Sequence, residues 1–262
     1  MTRIYTLVNQ KGGVGKTTTT INLGAYLAHL GQRVLLVDLD PQANTTSCLG
    51  IEKAQVRSGT YEALVGIGST AESILANSKL KLSLLPSSPA LAGAEVELVN
   101  EMAREGRLRQ ALDGIRERYD YVLIDCPPSL GMLTLNGMVA ADDGLIIPVQ
   151  CEYLALEGLG MLINTIERVR RALSPDLKIR GVLLTMFDSR TNLSQEVVDE
   201  VRNYFSEQVF ATVVPRSVRL AEAPSHGLPI LAYFPNSPGA EAYMALAQEI
   251  LQQDGERVGV AG

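Results

Sequence analysis

Eight consecutive residues, Lys11-Gly12-Gly13-Val14-Gly15-Lys16-Thr17-Thr18, gather what is needed to hold a chain of phosphates. The three glycines let successive backbone N–H groups turn inward with no Cβ atom in the way. Lys16 can set an ammonium between terminal phosphates, and Thr17 can offer a hydroxyl to a divalent cation. A strand-like run, Ile4–Val8, leads into the loop, and a helical pattern, Lys16–Leu30, leads out of it. The positive end of a helix is thereby aimed at the same place. The plainer reading is a glycine turn that only joins strand to helix. Against it stands a chance occurrence of roughly 4 in 100,000 for such a pattern in a chain of this size.

Two further apolar runs end in carboxylates. Val34–Val37 is followed by Asp38-Leu39-Asp40-Pro41, and Tyr121–Ile124 by Asp125-Cys126-Pro127-Pro128. The carboxyl ends of parallel strands are where ligands collect. Asp38 and Asp40 would share a face if the strand continued, and the turn at Pro41 is expected to re-aim Asp40. The alternative is that this pair merely terminates a strand. Asp125 suits a water of a Mg²⁺ shell. Alone it would be ordinary loop entry, and it gains weight beside the phosphate loop. Cys126 has no histidine near it in sequence and reads as a small buried filler.

The elements that must position these residues follow from short apolar runs alternating with longer helical patterns. Strands are expected at Ile4–Val8, Val34–Val37, Leu82–Leu85, Tyr121–Ile124, Leu145–Val149, Ile179–Met186 and Val209–Val214. Helices are expected at Lys16–Leu30, Glu95–Arg118, Leu133–Ala140, Leu154–Ala172, Ser194–Phe205 and Ala240–Gln253. Continuous rather than alternating hydrophobicity means that both sheet faces are covered. The expected fold is therefore α/β: a doubly wound, mostly parallel sheet with helices on both faces. A single domain over residues 1–262 accounts for it, with Ser47–Pro89 as an irregular surface excursion and 254–262 as a frayed tail.

Composition narrows the function classes. With 262 residues, 46% hydrophobic and 20% charged, the chain can bury a core and is not disordered. A net charge of −6 excludes a polybasic binder but leaves room for a local basic patch. Three cysteines without a C-x-x-C pair argue for a reducing compartment, and two histidines without a ligand cluster argue against zinc. Neither a signal-like apolar region nor a stretch of 18 apolar residues is found, so a cytoplasmic protein without membrane attachment is expected.

The loop departs from the ordinary G-x-x-x-x-G-K-[ST] pattern, with Gln10 in place of the first glycine and a second lysine, Lys11, at the start. In this it resembles the deviant Walker A loop of the ParA/MinD superfamily of ATPases, and Tyr121–Asp125 has the Walker B form. Pro148–Gly158, Thr185–Leu193 and Val214–Ser225 are similar to segments of chromosomal, Soj-type ParA proteins, so the resemblance covers roughly residues 3–253. It implies a P-loop ATPase using ATP and Mg²⁺. Gly12, Gly13, Val14, Gly15, Lys16, Thr17 and Thr18 would hold the phosphates, and Thr17, Asp38 and Asp125 would lie at the metal. Asp40 would orient the attacking water, and Lys11 would cross to a partner's nucleotide in an ATP-dependent homodimer. Met186, Asp188 and Pro215 would lie near the base. Arg190 and Arg219 match positions that bind non-specific double-stranded DNA. In this family hydrolysis is slow and is stimulated by the basic N-terminal peptide of a ParB-type centromere-binding protein, and the ATPase is nucleoid-associated.

Charge counting leaves the DNA reading open. Residues 165–220 carry nine basic and seven acidic side chains, a local cationic excess in an acidic chain. Arg168, Arg170 and Arg171 are read equally well as a solvated helix face. Ala240–Gln253 holds two glutamates and no lysine or arginine, unlike the basic membrane helix of MinD-type proteins. Cys48 and Cys126 are poorly placed for the cluster of a nitrogenase-type iron protein. A second reading keeps fold and nucleotide but makes the chain an ATP-gated adaptor that positions a protein cargo.

Overall fold

The computed structural model describes residues 1–153 and 155–259; side chains at 155–157 and 256–259 lie outside that description, as do Leu154 and positions 260–262 of the expected tail. Eight strands form one sheet: β1 (Arg3–Leu7), β2 (Val34–Asp38), β3 (Leu75–Asn77), β4 (Leu82–Leu85), β5 (Tyr121–Asp125), β6 (Gly144–Gln150), β7 (Ile179–Phe187) and β8 (Val209–Pro215). Their order is β3-β4-β2-β5-β1-β6-β7-β8, parallel throughout except for β3 against β4. The doubly wound α/β arrangement expected from the alternating pattern is what forms.

Helices cover both faces. α1 (Lys16–His29) and α2 (Asn44–Cys48) follow the first two strands. α3 (Thr60–Val65), α4 (Leu91–Glu97), α5 (Arg107–Asp113), α6 (Met132–Ala140), α7 (Ala155–Ala172) and α8 (Asn192–Phe205) come next, then α9 (Val218–Glu222), α10 (Ile230–Tyr233) and α11 (Pro238–Gly259). Successive strand residues point to opposite sides, so Ile4 of β1 and Val8 just after it enter one core and Tyr5 and Leu7 the other. Leu23 and Leu27 of α1 and Leu246 and Ile250 of α11 fill the second core. The intervening helices supply the first, for example Leu112, Leu162 and Val201.

Register sets the site. Leu7 of β1 and Asp38 of β2 both pair with Asp125 of β5, so three strands end level and side by side. The phosphate loop leaves β1 at that edge.

Three expectations are corrected. Glu95–Arg118 is not one helix: α4 runs on into a 3₁₀ turn at Leu98–Asn100, Arg104–Gly106 is another, and a third follows α5 at Arg116–Arg118. The break falls where Glu101 turns extended and Ala103 takes a φ of 52°. Asn136 of α6 repairs it, donating to the Arg104 carbonyl and accepting from Leu108 N–H. β3 was unexpected, being three residues on a sheet edge with two of them exposed and no apolar run to mark it. The third correction is the tail: α11 continues to Gly259, and Asp254 is 5% exposed. Its carboxylate accepts from the hydroxyls of Tyr5 and Tyr121 and from Arg180 Nη2 at 3.1 Å, under the end of the sheet remote from the phosphate loop.

Candidate nucleotide site

Gly13 (φ 75°) and Gly15 (φ 92°) take left-handed backbone conformations that a side chain would strain, and Gly15 caps the start of α1. The loop is tied down from several sides. Thr185 Oγ1 donates to the Val14 carbonyl at 2.9 Å, Asn9 Oδ1 accepts from Lys11 N–H, and Gln10 Nε2 donates to the Gly158 carbonyl. Lys16 is buried, and its ammonium donates to the carbonyls of Asn9 at 2.9 Å and Lys11 at 3.2 Å. Burial lowers its pKa from the usual lysine value, against the pull of Asp125. An ammonium partly stripped of water and held by two neutral carbonyls is poised for an anion.

A cavity of about 300 Å³ lies over the loop, lined among others by Gly13, Lys16, Thr17, Thr18, Asp40 and Met186. A second, of about 210 Å³, adjoins it through Gly15, Thr18 and Met186 and is walled by Val214, Pro215, Leu220 and Tyr243. The first is lined by the loop and Lys16, the second mostly by apolar side chains. Met186 stands between them with a φ of 54°, an uncommon conformation for a side-chain-bearing residue and one that concentrates at functional sites. Asp188 lies apart from both. It chelates Arg190 and lines an outward cavity of about 820 Å³ with Lys11, Glu152 and Arg216.

The carboxylates are held by one hydroxyl of the phosphate loop and by others that the motifs do not include. Asp125 Oδ2 accepts from Thr17 Oγ1 and from Thr45 Oγ1, each at 2.7 Å. Its Oδ1 is buried with no protein partner. An orphaned anionic oxygen beside a threonine hydroxyl is a donor set that fits a hard divalent cation. Asp38 is fully buried; its Oδ2 accepts from Thr46 N–H and Oγ1 and its Oδ1 from Asp40 N–H. Burial and the facing Asp125 push the Asp38 carboxyl up to about 7, and burial raises Asp125 to about 6 against the donors Thr17 and Thr45. Thr46 Oγ1 in turn accepts from Ser87 N–H, and Ser87 Oγ donates to the Asp40 carbonyl at 2.7 Å. Asp40 is therefore gripped by its own backbone at both ends, and its carboxylate lines the cavity while its Oδ1 accepts from Gln42 N–H at 2.9 Å. Thr45, Thr46 and Ser87 carry no motif signal, since threonine and serine after a strand are commonplace.

Three of the surface arginines are already engaged. Arg190 pairs with Asp188, Arg216 with Glu152 and Arg219 with Glu222, all at the surface. Arg180, counted within the basic window of the sequence, is buried against Asp254 and is withdrawn from any surface patch. Cys126 is 1% exposed, its thiol pushed up by burial, which suits a filler.

Known proteins agree with this geometry. The AAA domain family matches residues 2–179. The sporulation initiation inhibitor protein Soj of Bacillus subtilis is 55% identical over 250 residues, covering 95% of this chain and 98% of that protein. This chain belongs to the ParA/Soj family of chromosome-partitioning ATPases. The family resemblance carried by Lys11, Gln10 and the downstream segments is thus borne out. The chromosome-partitioning ATPase Soj of Treponema pallidum is 49% identical over 257 residues, spanning 98% of this ParA/Soj chain and all of that one. Among solved structures, a cobyrinic acid a,c-diamide synthase from Mycobacterium smegmatis, with bound ATP analog and magnesium, superposes with a TM-score of 0.85. It is 40% identical and covers 96% of this chain and 95% of its own.

Proposed function

We propose that this partitioning ATPase binds ATP with Mg²⁺, closes into a homodimer, holds double-stranded DNA without reading its sequence, and lets go on hydrolysis. The observation that carries the dimer is the placement of the two loop lysines. Lys16 lines its own phosphate cavity, whereas Lys11 lines the outward cavity beside it. A cation at the rim is free to serve the phosphates of a second copy, which makes hydrolysis wait for pairing.

In the nucleotide site the loop N–H groups from Gly12 to Thr18 and the Lys16 ammonium would receive the β- and γ-phosphates. The Thr17 hydroxyl and Asp125 would hold Mg²⁺, which supplies charge neutralisation at the phosphate oxygens when bound. Asp38, with its oxygens taken by Thr46 and Asp40, stands behind the site and braces Asp40. Asp40 orients a water for in-line attack. The new bond forms between that oxygen and the γ-phosphorus, the bond to the bridging oxygen breaks, ADP leaves with the electron pair, and of the water's two protons one stays on the phosphate product and the other passes to solvent. Met186 and Pro215 flank the base, and Asp188 serves the outer surface.

Arg190 and Arg219 would meet DNA phosphates after exchanging their carboxylate partners for them. Both pairs are exposed and cost little to exchange; the second reading, an ATP-gated adaptor with a protein cargo, keeps the same fold and nucleotide. A ParB-type protein is the expected stimulator. Among the described residues no helix is long and apolar enough to cross a membrane, and a nucleoid-associated, cytoplasmic role is proposed. Mobility shifts on arbitrary duplex with ATP, ADP and no nucleotide test this. Retention with ATP alone, weakening steeply with salt, is expected. Equal migration in all three lanes would remove the DNA function and leave the adaptor.

A further inference from the structure

Asp125 shares its two oxygens unevenly. Thr17 Oγ1 and Thr45 Oγ1 both donate to Oδ2, whereas the buried Oδ1 has no protein partner among the described residues. A hydroxyl has one proton to give and keeps its lone pairs. Thr17 gives its proton to Asp125, so its lone pairs stay available to a cation in the phosphate cavity that it lines. Thr45 differs. It is 0% exposed and lies outside the cavity lining, so its hydroxyl serves the carboxylate. Two donors on one oxygen hold the carboxylate against rotation and leave Oδ1 without a donor.

Backbone geometry brings Thr45 to this place. Ala43 N–H donates to the Asp40 carbonyl at 2.8 Å, and Ala43 takes a φ of 52°, uncommon for a residue with a side chain, just before α2 begins. The turn sets two neighbouring threonines against two strand ends, Thr45 against Asp125 of β5 and Thr46 against Asp38 of β2. Valine would fill the volume of Thr45 equally well, so packing alone does not call for its hydroxyl. We infer that Thr45 is a positioning residue for the divalent cation: its hydroxyl fixes the Asp125 carboxylate so that Oδ1 stays available to the metal shell. The inference rests on the reading that this site takes Mg²⁺, and it adds to that reading a residue outside the phosphate loop and the strand ends. Asn44 and Cys48 of the same short helix line the phosphate cavity, so the hydroxyl also fastens one wall of that cavity to the metal-side carboxylate. Partners that orient a metal-binding group change metal affinity by about 10–100-fold when removed.

The test follows a fluorescent ADP analogue by anisotropy with the full chain while MgCl₂ is titrated from an EDTA baseline, so turnover plays no part in the readout. The wild-type protein should bind the analogue more tightly as Mg²⁺ rises. Thr45→Val should need at least about tenfold more Mg²⁺ for the same gain. Its affinity in EDTA should match wild type, because the loop N–H groups and Lys16 are untouched. Thr45→Ser keeps the hydroxyl and should restore the wild-type Mg²⁺ requirement. Thr45→Ala should repeat the loss where valine impairs folding. Thr60→Val deletes another fully buried hydroxyl, which donates to the Asp38 carbonyl at 2.7 Å, and should leave the Mg²⁺ requirement where it was. A wild-type requirement in Thr45→Val, or one raised as far in Thr45→Ser or Thr60→Val, would overturn the role. So would an equal loss of affinity in EDTA, which would make Thr45 a packing residue. A wild-type protein indifferent to Mg²⁺ would instead remove the metal reading, and the inference with it.

Discussion

Asp254→Asn tests how the last helix is fastened. The wild-type carboxylate is 5% exposed and takes hydrogen bonds from Tyr5 Oη at 2.8 Å, Tyr121 Oη at 2.9 Å and Arg180 Nη2 at 3.1 Å. The Arg180 side chain is 2% exposed, and its guanidinium lies 5.6 Å from the Tyr5 ring centre. The amide keeps the volume but removes the counter-charge, leaving a buried cation unpaired. Breaking one side of such a pair costs about 3–5 kcal/mol. With an unfolding entropy near 2.1 cal/mol/K per residue, this corresponds to a fall in Tm of about 5–10 °C. Differential scanning calorimetry reads it directly. ATP affinity measured well below the transition should not move, since this network lies at the sheet end remote from the phosphate loop. Asp120→Asn, which opens the exposed Arg33–Asp120 pair, should shift Tm less. An unchanged Tm for Asp254→Asn would refute the argument that α11 is locked by a buried charge. A comparable loss of ATP affinity would refute the independence of the two sheet ends.

Other outcomes follow from the site. Lys16→Ala should weaken ATP binding by roughly 2–5 kcal/mol, at least about thirtyfold, in titration calorimetry; unchanged affinity would place the nucleotide elsewhere. Thr46→Val removes a donor to Asp38 and leaves Ser87 N–H without an acceptor, for a cost of about 1–3 kcal/mol in urea denaturation. Turnover should fall with little change in KM, because Asp40 loosens while the phosphate loop does not; a rise in KM alone would contradict this. The empty protein should lose stability as pH rises from about 4 to 7. Asp38 and Asp125 have folded values raised to about 7 and 6, so the native state binds more protons than the unfolded chain across that window. Denaturation midpoints at several pH values check the slope, and Mg²⁺ with an ATP analogue should flatten it by supplying counter-charge. A midpoint that climbs with pH in the empty protein would show these carboxyls to be ordinary.

The phosphate loop and the strand-end carboxylates were legible because their chemistry demands particular residues at fixed spacing, and Gly13, Gly15, Lys16 and Thr17 have few substitutes. The parallel sheet was legible for a similar reason, since β2 and β5 are apolar at every position before their aspartates. What could not be read lies in long-range partners. Thr45 meets Asp125 across 80 residues, and Ser87 meets Thr46 across 41. Nothing in either residue type announces the contact. Asp254 looked like part of a polar tail because its partners, Tyr5, Tyr121 and Arg180, are spread over the whole chain. The broken helix near residue 103 escaped notice because alanine is a strong helix former, and tertiary packing overrode its propensity.

The dimer reading turns on whether ATP pairs two copies so that Lys11 of each reaches the other's phosphates. Sedimentation velocity of Asp40→Ala with saturating ATP and Mg²⁺ measures this most directly, since the variant retains the phosphate loop and should not consume its ligand. The account predicts a species of twice the protomer mass with ATP and a monomer with ADP. A monomer under both conditions would contradict it.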